Sequence, residues 1–279
     1  MRRHCTLVAG LLVAGLLAGC GGHRSDPPAG TTPSPAPPSS AAPAGEAVPV
    51  YYVMGARLYR EFHSVRADPD PGTAAVRELL ARDTGDDPDY RSAWPAGWTL
   101  RAPVQHAAKV ITVDLSPPAA GGGANPTAEL ARLGAQQLVY TVQGALGSTD
   151  PVRILLDGRR AEKLWGQVPI SAPVERADPH AVRAPVQIDN PANGLVVGRT
   201  VRVSGEAATF EANVTWQVLE GDTVVRHGAA TAGEAFTLTP YSFTVTLEPG
   251  VYTVRVAEED VSDGEGRPPF SDTKTITVR

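Results

Sequence analysis

The chain has 279 residues, 42% of them apolar, and a formal net charge of −5. This length is typical of one or two domains, and the apolar fraction is sufficient to build their cores. An acidic chain lacks the basic excess that binding to a nucleic-acid backbone requires, so we exclude a nucleic-acid partner. The only two cysteines are Cys5 and Cys20, which leaves no disulfide and no cysteine metal site in the rest of the chain.

The first twenty residues have the pattern of a targeting signal. Two arginines at positions 2 and 3 precede an apolar run, Leu7–Ala18, which is too short to span a membrane as a helix. The run ends in Leu17, Ala18, Gly19 and Cys20, which resembles a bacterial lipobox. That resemblance implies a signal peptide over residues 1–19 and a lipid, diacylglyceryl or palmitate, on Cys20. An ordinary secretory signal with an incidental cysteine is the alternative.

Residues 20–47 form a predicted tether that is rich in proline, alanine and serine. With few branched apolar side chains, such a segment cannot repay the entropy of folding. At about 3 Å per residue, its proline-rich part could hold the following domains up to roughly 80 Å from the membrane. A passive, length-tolerant tether is the alternative. The lipid and the tether together predict a protein anchored to the cell membrane and facing the extracytoplasmic side.

Residues 48–170 combine strand and helix signals. The pattern predicts a strand at Val50–Met54 and a helix that starts at Asp70-Pro71 and can end at Gly85. Further strands are predicted at residues 98–104, 109–115 and 152–156, with a helix over 127–146 that begins after an Asn125-Pro126 cap. The order β-α-β-β-α-β predicts a split-βαβ arrangement within an α+β fold.

A proline-containing linker is predicted at residues 171–185, and after it the sequence has strand signals only. From residue 186 to 279, apolar residues alternate with polar ones in short runs, separated by turn signals at 220–222 and 248–250. This pattern predicts an antiparallel β-sandwich, with Trp216 as a core residue between its sheets.

Three strings in the first region carry a family resemblance. They are Val110–Ser116, the Leu138-Val139-Tyr140-Thr141 part of the second helix, and Val152–Gly158. In this order and spacing they resemble the GerMN domain, also called the sporulation and spore germination domain. That resemblance implies a non-catalytic module of a kind that assembles with other envelope proteins.

The second region is similar to the Gmad-type immunoglobulin-like domain of bacterial germination proteins. The strings that carry this similarity are Val201–Ala207, Phe210–Val214 and Phe243–Val245. Because the two modules are known to occur together, each resemblance supports the other. The implied architecture is a GerMN domain followed by an immunoglobulin-like sandwich.

No motif for nucleophilic, phosphate-transfer, metalloprotease or dinucleotide chemistry occurs in the sequence. We therefore predict no catalytic residue, no metal ligand and no cofactor. Features that could suggest otherwise have simpler interpretations as loops, turns or surface groups. They are the glycines at 121–123, the acidic stretch 258–265, Glu211, the sequon at Asn213, and the scattered histidines His23, His63, His106, His180 and His227.

These observations favour a non-enzymatic, lipid-anchored envelope protein that binds other envelope proteins or associates with itself. One alternative is a protein that binds or hydrolyses peptidoglycan, and another is an accessory to an envelope sensor system. A solute-binding receptor is less consistent with the sequence, since that class has two similar lobes and these two regions differ in kind.

Overall fold

The computed structural model describes residues 45–66, 69–119, 126–259 and 266–279. The predicted signal peptide, Cys20 and nearly all of the predicted tether lie outside these residues, as do Gly121–Gly123 and residues 260–265. Within the part described, no helix is both long and apolar enough to cross a membrane.

The first region holds two long helices and several strands. They are β1 (Glu46–Met54), β2 (Arg57–Val65), α1 (Pro71–Ala81), β3 (Thr99–Leu100), β4 (Gln105–Ala107), β5 (Val110–Ser116), α2 (Ala128–Leu146), β6 (Val152–Leu156), β7 (Arg159–Arg160), β8 (Lys163–Leu164) and β9 (Val168–Pro169).

The first strand belongs to a hairpin that the sequence analysis missed in part. β1 begins at Glu46, inside the predicted tether, and pairs along its whole length with β2. The turn needs the left-handed backbone of Gly55, whose φ is 59°. The missed strand, β2, carries Glu61 and His63 on its buried face, so its sequence lacks a simple apolar alternation.

The other sheet of this region is built around a parallel pair. β5 and β6 lie side by side in parallel and are connected by α2, while β3, β4 and β7 add antiparallel strands. The α+β class is confirmed, but the predicted strand order is corrected. No strand separates β5 from β6, and β1 pairs with β2 in a sheet of its own.

The helix starts follow local capping chemistry. Asp70 caps α1 as predicted, since its carboxylate accepts from the Thr73 backbone N–H at 2.9 Å. The helix ends at Ala81, however, and not at Gly85. Thr127 caps α2, whereas the predicted cap residue, Asn125, lies outside the described residues.

The predicted linker is packed against the first region and includes a short helix, α3 (Pro179–Val182). Val174 pairs with Val152, the Tyr140 hydroxyl donates to the Ala177 carbonyl at 2.8 Å, and the buried Ala184 donates its N–H to Leu58. These contacts fix where the second region starts.

The second region is the predicted β-sandwich. Its strands are β10 (Val186–Asn190), β11 (Val196–Val197), β12 (Thr200–Ala207), β13 (Asn213–Glu220), β14 (Thr223–Thr231), β15 (Thr239–Thr246), β16 (Gly250–Glu258) and β17 (Ser271–Val278). One sheet has the order β10-β12-β15 and the other the order β11-β17-β16-β13-β14. Inward residues such as Val203, Val254 and Ile276 are fully buried between them.

Trp216 lies between the two sheets, as predicted, but it is only half-buried. Its ring stacks on Phe243 of the other sheet at 4.5 Å with an interplanar angle of 8°. The close approach of its ring leaves no space for a side chain at Gly228 on β14. The most deeply buried part of the core consists mainly of aliphatic residues.

Candidate functional site

A buried ionic cluster joins the first region to the sandwich. The Lys274 ammonium, on β17, donates to Asp87 at 2.6 Å, to the Tyr90 hydroxyl at 2.8 Å and to Asp272 at 3.1 Å. Asp272 also accepts the Ile188 N–H at 2.6 Å. Burial raises the pKa of Asp272, and the charge of Lys274 opposes that rise.

A second polar network lies between β2, the end of the linker and the sandwich. Arg60 pairs with Asp189 at 2.6 Å and with Glu206 at 3.2 Å. Arg183 donates to Glu206 at 2.9 Å and to Gln187 at 2.6 Å. Charged groups that are this well buried require partners. The two networks therefore hold the first region and the sandwich against each other.

Beside the second network is a cavity of about 300 Å³, here called the junction cleft. It lies between α3 and two loops at one end of the sandwich. Its lining residues are Pro179, His180, Arg183, Ala184, Pro185, Ala208, Thr209, Phe210, Phe236, Leu238, Glu258, Glu259 and Arg267. The lining thus combines apolar, cationic and anionic side chains, a composition suited to binding a polypeptide segment.

Two exposed phenylalanines stand at the junction cleft. Phe210 is 51% exposed and Phe236 is 60% exposed, and their rings form a T-shaped contact at a centroid distance of 5.9 Å. Burying a large ring is favourable, so two adjacent rings left in solvent indicate a surface that a partner can cover.

The backbone that carries these rings is held in an unusual conformation. Glu211, Ala212 and Phe236 all have φ between 54° and 57°, in the left-handed region that residues with a Cβ rarely adopt. The two loops are tied together, because the Phe236 N–H donates to the Thr209 carbonyl at 3.0 Å. Strain of this kind is often found at binding sites.

Two buried polar atoms of residues lining the cleft lack a hydrogen-bond partner among the described residues. They are the Thr209 hydroxyl and Nε of Arg183. Buried polar groups are ordinarily satisfied, so these two atoms are exceptions in the packing beneath the cleft. Arg267 adds a cation at the rim, stacked 4.2 Å over the Phe270 ring and paired with Glu258 at 2.8 Å.

The residues singled out from the sequence do not come together in one place. Leu17, Ala18, Gly19, Cys20 and His23 lie outside the described residues. Of the remaining candidates, His180 and Glu258 line the junction cleft, and Glu211 is an exposed residue in one of its loops.

The other histidines and the sequon lie elsewhere. His106 pairs with Asp150 at 2.7 Å on the surface, and the sequon lies in β13. His63 is buried. Burial would lower the pKa of His63, but hydrogen bonds to Glu61 and Glu78 outweigh it and raise that pKa.

Sequence reasoning missed Phe210 and Phe236 as candidates. Phe210 lies in a string that resembles the Gmad-type domain, and the local sequence around Phe236 has no motif. Their exposure depends on how the two loops meet in the folded sandwich, which leaves no pattern in the sequence to find them.

Two family models match the chain, one to each folded region. Residues 49–162 match the family described as "Sporulation and spore germination", and residues 185–265 match the "Immunoglobulin-like domain of bacterial spore germination". The chain therefore carries two modules of the spore-germination class. In particular, it has a GerMN-type domain followed by a Gmad-type immunoglobulin-like domain.

Solved structures give weaker similarities. The tandem GerMN domains of the sporulation protein GerM from Bacillus subtilis match with 14% identity and a TM-score of 0.38, over 50% of this chain and 50% of that chain. An engineered protein matches with 18% identity and a TM-score of 0.24, over 57% of this chain and 37% of that chain. The present chain thus spans about half or less of these two matched chains.

A third solved structure also matches part of the chain. A CARDB domain from Pyrococcus furiosus, in complex with di-metal ions, matches with 10% identity and a TM-score of 0.22, over 31% of this chain and 84% of that chain. No curated protein matches the sequence.

Proposed function

We propose that this protein is a non-catalytic, lipid-anchored component of the cell envelope that binds another protein through the junction cleft. Its domains are of the sporulation and spore germination type. The lipid on Cys20 and the tether would place the folded regions on the extracytoplasmic side of the membrane. Binding at the cleft would then join the protein to an assembly in the envelope.

The observation that carries this proposal is the exposed pair formed by Phe210 and Phe236. Aromatic anchors of this kind supply much of the energy of protein interfaces when a partner buries them. The adjoining cavity of about 300 Å³ offers a depression for one or two partner side chains.

Site-specific photo-crosslinking tests the proposal in the native envelope. Benzoylphenylalanine replaces either Phe236, at the cleft, or Phe62, an aromatic residue on β2 that is 42% exposed and does not line the cleft. We expect a defined crosslinked protein from position 236 and none from position 62, because only the first probe lies in the interface. A second change, Phe210→Ala, should reduce the crosslink by at least tenfold.

The identity of the crosslinked species decides between the alternatives. A distinct envelope protein, or a second copy of this chain, supports the binding or assembly role. A crosslink to peptidoglycan, with no crosslinked protein, would instead support the alternative that this protein binds or hydrolyses the cell wall. Equal crosslinking from positions 236 and 62 would refute the cleft as the interface.

The lipid anchor is tested in the same cells by Cys20→Ser. This change should move the protein to the soluble fraction, and retention in the membrane would refute the lipid anchor.

A further inference from the structure

His63 is held between two carboxylates in the core of the first domain. Its Nδ1 lies 2.8 Å from Oε1 of Glu78, and its Nε2 lies 3.0 Å from Oε2 of Glu61. The His63 side chain is 3% exposed. Glu61 and His63 are two residues apart on β2, so the pleat of the strand puts both on the same buried face.

The loop after α1 fixes the position of the Glu61 carboxylate. The Asp86 N–H donates to its Oε2 and the Asp87 N–H to its Oε1, both at 2.9 Å. A Cβ at Gly85 would lie 2.5 Å from the same Oε2, so only glycine permits this close approach. The carboxylate is therefore oriented by the backbone before any ligand arrives.

A third potential ligand comes from the same loop. One ligand atom each from Glu61, His63 and Asp86 lie within 4.8 Å of one another. Arg82 holds the rim of this group, because it donates to Asp86 at 2.8 Å and pairs with Glu78 at 2.6 Å. The Asp86 side chain is 45% exposed and is held beside the other two by this ion pair with Arg82.

Tyr52 supplies an independent observation. It is fully buried, its ring stacks on the His63 ring at 5.8 Å, and its hydroxyl has no hydrogen-bond partner among the described residues. The charges that act on this hydroxyl are those of Glu61, Arg82, Glu78 and Asp86. An unsatisfied buried hydroxyl facing a carboxylate cluster indicates a missing polar group at that place.

The charge of the cluster also favours a cation. With a neutral imidazole, the three carboxylates of Glu61, Glu78 and Asp86 outnumber the single guanidinium of Arg82 by two. A divalent ion would balance this excess. The nearby Asp87 is left out of this count because it is paired with Lys274, which also pairs with Asp272.

We propose that His63 Nε2, Glu61 Oε2 and the Asp86 carboxylate bind a divalent metal ion of the zinc type. With bonds of about 2.0–2.1 Å, two ligands of tetrahedral zinc lie roughly 3.3 Å apart, close to the 3.0 Å between Nε2 and Oε2. One imidazole among carboxylates suits zinc better than calcium, which prefers oxygen ligands alone. A water in the fourth position would give the Tyr52 hydroxyl its partner.

Glu78 has the position of an outer-shell residue in this site. Metal-bound histidines usually donate their other ring N–H to a carboxylate, which fixes the tautomer and the ring orientation. Here Glu78 accepts from Nδ1 and leaves Nε2 facing the proposed ion. The ion would join β2 to the loop whose Asp87 holds Lys274, and so strengthen the junction with the sandwich.

Calorimetric titration of the full chain with ZnCl₂ tests the proposal. The chain carries Cys5→Ser and Cys20→Ser, so that no thiol competes, and has no polyhistidine tag. We expect one equivalent of zinc to bind, with calcium at least a hundredfold weaker. His63→Gln and Asp86→Asn should each weaken zinc binding at least tenfold, and Glu78→Gln should weaken it about 10–100-fold.

His106→Gln is the matched control, because His106 also pairs with a carboxylate but lies on the surface. It should leave zinc binding unchanged. If His63→Gln fails to fold, Asp86→Asn decides the matter, since Asp86 is exposed. Absence of zinc binding, equal calcium binding, or full binding by a folded Asp86→Asn chain would overturn the assignment. The first outcome would mean that a protonated His63 bridges the two carboxylates without a metal.

Discussion

Lys274 shows how a single residue can join two domains. The buried face of β17 consists of Asp272, Lys274, Ile276 and Val278. Lys274 therefore occupies a position at which the alternating pattern of a strand predicts an apolar residue. Its side chain is 2% exposed and contacts two carboxylates and the Tyr90 ring, which lies 4.1 Å away. Two of its three partners, Asp87 and Tyr90, belong to the first region, and only Asp272 lies on the same strand.

Replacing Lys274 should therefore be strongly destabilising. Lys274→Met keeps much of the side-chain volume but leaves Asp87 and Asp272 buried without their cation. We expect a loss of about 3–5 kcal/mol in the free energy of unfolding, measured by urea denaturation.

The exposed pair Arg199–Glu248 provides the control for this change. Both side chains are more than half exposed, and such surface pairs contribute about 0–1 kcal/mol. Arg199→Ala should have an effect in that range. If Lys274→Met were no more destabilising than Arg199→Ala, the cluster would not hold the two regions together.

At the scale of an element, β12 depends on a glycine for its pairing with β10. Gly205 pairs with Ile188 next to a register shift in β10. A Cβ there would lie 1.9 Å from the Gln187 carbonyl oxygen and 2.8 Å from the Tyr241 hydroxyl, which donates to that same carbonyl at 2.9 Å. Because the nearest atom belongs to the backbone, the strand itself would have to move.

We expect Gly205→Ala to destabilise the sandwich by about 3 kcal/mol or more, as measured by the midpoint and slope of chemical unfolding. Gly198→Ala is the matched change, since no atom lies within 4 Å of the Cβ it would add. That control should be neutral or slightly stabilising, because alanine restricts the unfolded chain. Equal effects of the two changes would contradict the close packing of β10 on β12.

At the scale of the whole molecule, the polar network at the junction makes stability depend on pH. Burial alone would raise the pKa of Glu206, but the guanidinium groups of Arg183 and Arg60 outweigh it and lower that pKa below 4.5. A carboxyl group whose pKa is lower in the folded state stabilises the fold above its unfolded pKa. This contribution is lost as the pH falls through the lowered value.

Glu206→Gln should reproduce that loss without a change of pH. We expect the variant to be less stable than the parent chain by about 1–3 kcal/mol at pH 7. The difference should shrink as the pH falls through the lowered pKa of Glu206, because the parent carboxylate then becomes protonated too. Thermal or urea unfolding at several pH values measures it. A difference that is constant with pH would contradict the ionic role of Glu206, and the exposed Glu248→Gln should show little effect throughout.

Much of the architecture could be predicted from the sequence because it depends on local chemistry. The alternation of apolar residues indicated five of the sandwich strands, β12, β13, β15, β16 and β17. Asp70 specified the start of α1, and the strand Val152–Leu156 was predicted at its exact bounds. The two family resemblances were confirmed by the family models. The prediction of a lipidated Cys20 also rests on local sequence and remains a prediction.

Tertiary structure decided the features that depend on distant segments. The strand β2 escaped prediction because its buried face carries Glu61 and His63, whose partners Glu78 and Asp86 lie 15 or more residues away. The ionic cluster at Lys274 joins residues 187 positions apart, and the exposed Phe210 and Phe236 come together only where two loops meet. A sequence pattern reports what each residue does within its own element, whereas burial of charge and exposure of rings depend on how elements pack.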